Sequence, residues 1–168
     1  MNTSQIYGKL VELICGKGYI VACTGSPLRG DDRIGLVICE KLIGRGFPVV
    51  LCEYGLESCL GEIMERNPRG LIIIDAVYLE GASPGEVVWA TLNDVARQGG
   101  IVTTHNIPLH ITISVLKKNT RIEEVFILGV NISNLDYGLE ISEEVLESGE
   151  MLVELLSSVY GECARRSG

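Results

Sequence analysis

Residues 19–42 read YIVACT, then GSPLRGDDRIG, then LVICEKL. The first run is apolar and β-branched and predicts a buried strand, while Ile34, Ile38 and Leu42 recur at the spacing of a helix face. The glycine-rich loop between the two, Gly25–Gly35, therefore stands where a strand ends and a helix begins. In open α/β sheets this edge is where ligands bind, so the loop is the first candidate site.

The loop contains two adjacent aspartates, Asp31 and Asp32. Aspartate is a favoured N-cap residue and suits the positive end of a helix dipole, so one of the two needs no function. A second aspartate exceeds what a cap requires. This excess indicates chemistry at the loop.

Strand and helix patterns alternate along the rest of the chain. Leu71–Ile74 is a continuous apolar run that ends in Asp75, as is typical of a central parallel strand buried on both faces. Further strands are predicted at 48–52, 86–89 and 124–130, and helices at 3–15, 34–44, 57–66, about 109–118 and 142–164. The pattern predicts one domain over residues 1–168, a three-layer α/β/α sandwich around a twisted, mostly parallel sheet of about five strands.

Composition narrows the class of protein. The 168 residues carry a net charge of -8 and no Lys/Arg cluster, which argues against a nucleic-acid partner because phosphate contacts need a basic face. No signal peptide opens the sequence and no apolar run approaches the roughly 20 residues that span a bilayer, so no membrane insertion is expected. The six cysteines form no CxxC pair and several lie in apolar runs, which predicts reduced core thiols in a cytoplasmic protein.

Three polar residues stand at the edges of predicted elements: Asp32, Asp75 and His105. Asp32 and Asp75 follow strands that should be neighbours, and parallel strands end on one side of a sheet, so both carboxylates can face one crevice. Two carboxylates and an imidazole suit a borderline divalent ion such as nickel or zinc. Their spacing matches no short metal motif, so capping and turn roles remain open for the same residues.

Other sites fit the sequence less well. The Gly25–Gly35 loop lacks GxGxxG and the Walker lysine, and its aspartates would repel a phosphate. No cysteine stands beside a helix N-terminus with activating charge, which argues against a cysteine nucleophile. His110 follows His105 by five residues, a poor match to one helix face, and is predicted to be a surface or packing residue.

Four ordered segments resemble the nickel-iron hydrogenase maturation endopeptidases, and within that family the branch that processes hydrogenase 3. The first is Gly25–Gly35, which is similar to the family's Gly-Asn-x-Leu-x-x-Asp-Asp/Glu-x-x-Gly opening motif. The others are Leu71–Ala76, the Thr-His-Asn-x-Pro-Leu segment within Thr103–Leu109, and the strand Val125–Val130. Four matches in the right order are far more specific than any one motif.

The resemblance implies a monomeric, cytoplasmic endopeptidase that removes the C-terminal extension of a hydrogenase large-subunit precursor after nickel insertion and recognises the bound nickel. It assigns metal binding and catalysis to Asp32, Asp75 and His105, with nickel supplied by the substrate and zinc or cadmium as substitutes in vitro. It leaves Asp31 as a capping or loop-bracing residue. Residues 1–18 then form an N-terminal helical extension that typical members lack.

The family's substrate-contacting Asp-Gly-Gly segment falls on Glu53, Tyr54 and Gly55, where this chain departs from the pattern, as it also does at Ser26 and Arg33. Two mechanisms remain open: the metal activates water, or an aspartate acts as general base as in an aspartyl protease. The alternatives to an enzyme are a non-catalytic, metal-sensing chaperone of the precursor and a metal-independent binding module.

Overall fold

The computed structural model describes residues 1–96, 102–103 and 109–168. Its strands are β1 (Ile20–Gly25), β2 (Val50–Glu53), β3 (Gly70–Tyr78), β4 (Val87–Thr91), β5 (Val102–Thr103) and β6 (Glu124–Asn131). Its α-helices are α1 (Thr3–Leu10), α2 (Ile34–Gly44), α3 (Leu60–Arg66), α4 (Leu92–Ala96), α5 (Leu109–Asn119) and α6 (Glu143–Ser167). A π-helical turn, Val11–Gly16, extends α1, and 3-10 turns at Gly30–Arg33 and Leu56–Cys59 lead into α2 and α3.

The strands form one sheet in the order β2-β1-β3-β6-β4, with β5 paired to the end of β3. Strands β2, β1, β3 and β6 are parallel, and β4 runs antiparallel to β6 at one side of the sheet. The predicted mostly parallel sheet and antiparallel edge strand are confirmed. The sheet has six strands rather than about five, because the two residues of β5 are too few to show a period in the sequence.

Helices cover both faces of the sheet, which confirms the three-layer prediction. Successive strand side chains point to opposite faces, so Ile72 and Ile74 of β3 join the core under α2 and α6, while Leu71 and Ile73 join the core under α3 and α5. This is the core of a parallel strand that is buried on both faces.

The N-terminal helix packs onto the same core as α6. Asn2 caps α1 with a reciprocal capping box to Gln5, and Ile6 and Leu10 are buried against the sheet and α6. Within α6, Gly149 would be expected from helix propensity to weaken the helix. In the structure a Cβ there would lie 2.5 Å from Cδ1 of Ile34, so the glycine lets α6 approach α2 closely.

Several predicted boundaries shift. β3 runs to Tyr78, three residues beyond Asp75, and α6 continues to Ser167 rather than to about residue 164. The stretch after β4, expected to be irregular, begins with the short helix α4, which Asp94 stabilises by accepting hydrogen bonds from the amide and hydroxyl of Thr91.

The prediction of reduced core thiols is wrong. All six cysteines form disulfides: Cys15–Cys163, Cys23–Cys39 and Cys52–Cys59. The apolar runs correctly place Cys23, Cys39, Cys52 and Cys59 in the core, but pairing depends on which helix packs over which strand, and residue spacing does not reveal that. The cytoplasmic location inferred from reduced thiols remains a prediction.

Across the part of the chain that the structure describes, no helix has both the length and the apolar character needed to cross a lipid bilayer.

Candidate active site

Asp32 lies at the carboxyl edge of the sheet, the edge at which β1, β2, β3 and β6 end. It belongs to the 3-10 turn that leads into α2, and only 3% of its surface is exposed. Its carbonyl accepts a hydrogen bond from the amide of Ser26 at 3.2 Å. This contact folds the loop back onto the end of β1.

Gly35 sets the depth at which α2 begins. A Cβ at this position would overlap the carbonyl oxygen of Thr24 and lie 2.9 Å from that of Ile74. The first turn of α2 is therefore wedged between the ends of β1 and β3, which only a glycine allows.

Asp75 follows Ile74, which pairs with Cys23 of β1. Only 1% of the surface of Asp75 is exposed. The turn that carries Asp32 contacts β3. The structure therefore brings both predicted aspartates to neighbouring strands at the same edge. Such buried carboxylates can act as metal ligands or as a general base.

His105 lies outside the described residues. On either side of that gap, Thr103 of β5 pairs with Val77 of β3, and α5 starts at Leu109. Because β6 pairs with β3 as far as Val77 on the other side, β5 occupies the side of β3 that β1 has left after Ile74. Within residues 1–96, 102–103 and 109–168, no three His, Cys, Asp or Glu side chains form a metal-binding group.

The sequence predicts that Asp31 caps a helix or braces the Gly25–Gly35 loop, and the structure shows the second role. The 3-10 turn has no side-chain cap. Instead the fully buried carboxylate of Asp31 accepts hydrogen bonds from the amides of Ser133, Asn134 and Ser142 and from the hydroxyl of Ser142, at 2.7–3.3 Å. Asp31 thereby fixes the loop after β6 to the loop after β1.

The segment Glu53–Gly55 lies beside the first residue of the Asp32 loop. Glu53 pairs with Gly25, and the amide of Tyr54 donates to the carbonyl of Gly25 at 2.8 Å. Tyr54 has φ 65°, a left-handed conformation that is rare for a bulky side chain, and its ring is 55% exposed. Such strain clusters at functional sites.

Sequence reasoning missed the segment 132–142 as part of this edge. Asn131 is buried and its side chain bonds Leu79, Ala82 and Ser83, so the end of β6 organises the turn after β3. The available signal was topological: β6 is parallel to β3, so the loop after it had to reach the same edge. His110 is exposed on α5, as predicted.

Comparison with known proteins identifies the family. The hydrogenase maturation protease family HycI matches residues 55–159, a range that contains Asp75 and begins after the Asp32 loop. The hydrogenase 3 maturation protease of Escherichia coli K12 is 29% identical over 145 residues, covering 84% of this chain and 90% of that protein.

Solved structures of hydrogenase maturation proteases share the fold of this chain. The crystal structure of a [NiFe] hydrogenase maturation protease HycI from Thermococcus kodakarensis superposes with a TM-score of 0.75 at 29% identity, covering 90% of this chain and 97% of that one. The solution structure of the endopeptidase HycI from Escherichia coli gives 0.66 at 26% identity, covering 81% and 86%. The chain belongs to the HycI family of hydrogenase maturation proteases and is, as a member, a site-specific endopeptidase of hydrogenase maturation.

Proposed function

We propose that this protein removes the C-terminal extension of a nickel-iron hydrogenase large-subunit precursor after nickel insertion, and that Asp32, Asp75 and His105 recognise the inserted nickel. The observation that supports the proposal is the placement of two buried aspartates, one in the loop after β1 and one in β3, on neighbouring elements at one edge of the sheet. Family membership supplies the reaction class, peptide-bond hydrolysis.

The course of the chain supports the third ligand. Side chains alternate along a strand, so Asp75 shares with Ile73 and Val77 the face that α5 covers. His105 belongs to the connection between β5, which pairs with the end of β3, and α5. Two carboxylate oxygens and an imidazole nitrogen are ligands that nickel accepts.

In this proposal nickel is part of the substrate. The precursor holds the ion, and the three side chains complete its coordination, so a precursor without nickel lacks the group that they bind. A bound divalent ion polarises a carbonyl oxygen and lowers the pKa of water. An aspartate that accepts a proton from water is the alternative source of activation.

The test is cleavage of purified precursor, with and without nickel, followed by intact-mass spectrometry. We expect the wild type to shorten only the nickel-loaded precursor, and Asp75→Asn to slow cleavage by about 100-fold or more. The matched control is Glu65→Gln, which neutralises an exposed carboxylate in the last turn of α3. It should cut at the wild-type rate.

Two results would contradict the proposal. Equal cleavage of nickel-loaded and nickel-free precursor would exclude recognition through nickel. Tight binding with an unchanged precursor mass would instead support a metal-sensing chaperone that does not cut. Titration of the protein with nickel, zinc or cadmium, compared with an Asp32→Asn, Asp75→Asn double variant, reads out the metal site without any cleavage.

A further inference from the structure

The carboxyl edge of the sheet carries an exposed apolar surface beside Asp32. Among the described residues, Tyr137 and Leu139 have the most exposed large apolar side chains, at 83% and 65%, and Leu28 and Leu135 are 53% and 40% exposed. We name these four residues the Tyr137 rim. Contiguous exposed apolar residues on a soluble domain mark interaction surfaces.

The backbone under the Tyr137 rim is firmly held. Arg29 and Gly138 form a parallel bridge, in which the amide of Gly138 donates to Leu28 at 2.9 Å and the amide of Gly30 donates to Gly138 at 3.0 Å. The buried carboxylate of Asp31 fixes both ends of the same loop, at Ser133–Asn134 and at Ser142.

Arginine side chains complete the brace. Arg29 donates to the carbonyl of Leu135 and its guanidinium carbon lies 5.4 Å from the ring centre of Tyr137, while Arg33 donates to the carbonyl of Leu139. The apolar side chains are thus presented by an ordered loop. Binding to these side chains therefore costs less conformational entropy than binding to a flexible loop, which would first have to become ordered.

Carboxylates outnumber cations on this surface, because the loop after β6 and the start of α6 carry four exposed acidic residues against Arg29 and Arg33, which donate to carbonyls of that loop. Asp136 and Glu140 lie among the apolar residues, Glu143 and Glu144 follow, and residues 133–144 contain no Lys or Arg. The surface therefore complements a segment that combines apolar and basic side chains. A second copy of this chain fits poorly, since each copy carries a net charge of -8 and a symmetric contact would face this acidic loop with itself.

We infer that the Tyr137 rim docks a segment of the hydrogenase precursor that carries apolar side chains together with Lys or Arg, and so adds affinity beyond that of the metal. The inference rests on the proposed function, because it names the same substrate. Leu28 belongs to the loop of Asp32, and the other three rim residues lie on the loop that pairs with it through Gly138, so a polypeptide bound there lies next to the candidate site.

The experiment compares a Tyr137→Ser, Leu139→Ser double variant with wild type in cleavage of the nickel-loaded precursor. The control is an Ile43→Ser, Val115→Ser double variant, which removes two exposed apolar side chains from helices α2 and α5. We expect KM to rise at least tenfold in the rim variant with kcat within twofold of wild type, and no change in the control.

Charge is tested separately. Asp136→Asn with Glu140→Gln should raise KM and flatten its dependence on salt between 50 and 500 mM NaCl, because screening weakens exposed charge pairs. Unchanged KM in the rim variant, while the wild type cuts normally, overturns the docking inference and leaves the proposed function intact. Failure of the wild type to bind or cut the precursor overturns both. Light scattering that shows a dimer in wild type and a monomer in the rim variant identifies a second copy as the occupant and also overturns the inference.

Discussion

Gly35 is the residue on which the position of Asp32 most directly depends. Because carbonyl oxygens of two different strands surround the site of its missing Cβ, neither neighbour can move without disturbing the sheet. Gly35→Ala should lower the free energy of unfolding by about 3 kcal/mol through overpacking. Urea denaturation measures the change.

Gly44 gives the matched control in the same helix. Nothing lies within 4 Å of a Cβ placed there. Gly44→Ala should raise stability by no more than about 0.5 kcal/mol, because alanine loses less backbone entropy than glycine but Gly44 is the last residue of the helix. Equal effects of the two substitutions would show that α2 is not wedged between β1 and β3.

Asp31 should prove essential to the loop after β6. Asp31→Ala removes a buried carboxylate and leaves the part-buried backbone amides of Asn134 and Ser142 without their acceptor, and we expect a loss of about 3 kcal/mol. Asp136→Ala changes an exposed aspartate in the same loop and should alter stability by no more than about 0.5 kcal/mol.

Hydrogen exchange locates the Asp31 effect. In Asp31→Ala, amides of residues 133–142 should exchange faster than in wild type, while those of β3 keep their relative protection. Uniform loss of protection throughout the sheet would mean that Asp31 supports the core and not this loop.

At the scale of elements, long periodic segments could be predicted from sequence and short or paired features could not. The run Leu71–Ile74 identified β3 as a central strand because burial on both faces demands continuous apolar residues. β5 has two residues and pairs with the part of β3 that extends beyond the end of β1. This pairing depends on the tertiary arrangement of the strands, which the local sequence does not show. α4 has five residues, too few for its two large apolar residues, Leu92 and Val95, to establish a helical period in the sequence.

The candidate site likewise has residues that could be predicted from the sequence and residues that could not. Asp32 and Asp75 could be predicted because Asp75 directly follows an apolar run that indicates a strand, and Asp32 lies in the glycine-rich loop after another such run. The acceptor role of Asp31 could not, since its partners Ser133, Asn134 and Ser142 lie about a hundred residues away. His105 stays a prediction, since it lies outside the described residues.

A buried tyrosine links the start of β1 to β6. Tyr19 is 5% exposed, and its hydroxyl donates to the Glu124 carboxylate at 2.7 Å. Burial, together with this hydrogen bond and the charge of Glu124, raises the pKa of Tyr19 to about 12 from an ordinary value of 10.0. The unfolded chain therefore loses this proton first as the pH rises.

The free energy of unfolding is therefore unaffected by the titration of Tyr19 below pH 10 and falls as the pH rises towards 12. Tyr19→Phe should be about 1 kcal/mol less stable at pH 8, because it loses a hydrogen bond, and should show a shallower decline above pH 10. Urea unfolding from pH 8 to 11.5 measures both. Parallel declines in wild type and variant would refute the assignment.

For the whole molecule, the disulfides are the feature that most alters the expected stability. Cys15–Cys163 joins the turn after α1 to α6 and closes a loop with a sequence separation of 148, while Cys23–Cys39 and Cys52–Cys59 have separations of 16 and 7. The two shorter loops contain Asp32 and the segment Glu53–Gly55. All three therefore restrict the unfolded chain, and two do so at the candidate site.

Loop-closure entropy predicts an order among them. By that model the three bonds contribute about 5, 3 and 2.5 kcal/mol in order of decreasing separation, so Cys15→Ala with Cys163→Ala should lower the denaturation midpoint most. Alkylation under denaturing conditions should label no thiol before reduction and six after it. Reductant should lower the midpoint of wild type and leave a variant with all six cysteines replaced unchanged. Six labelled thiols without reductant would restore the sequence-based prediction, because the fold would then be held by core packing alone.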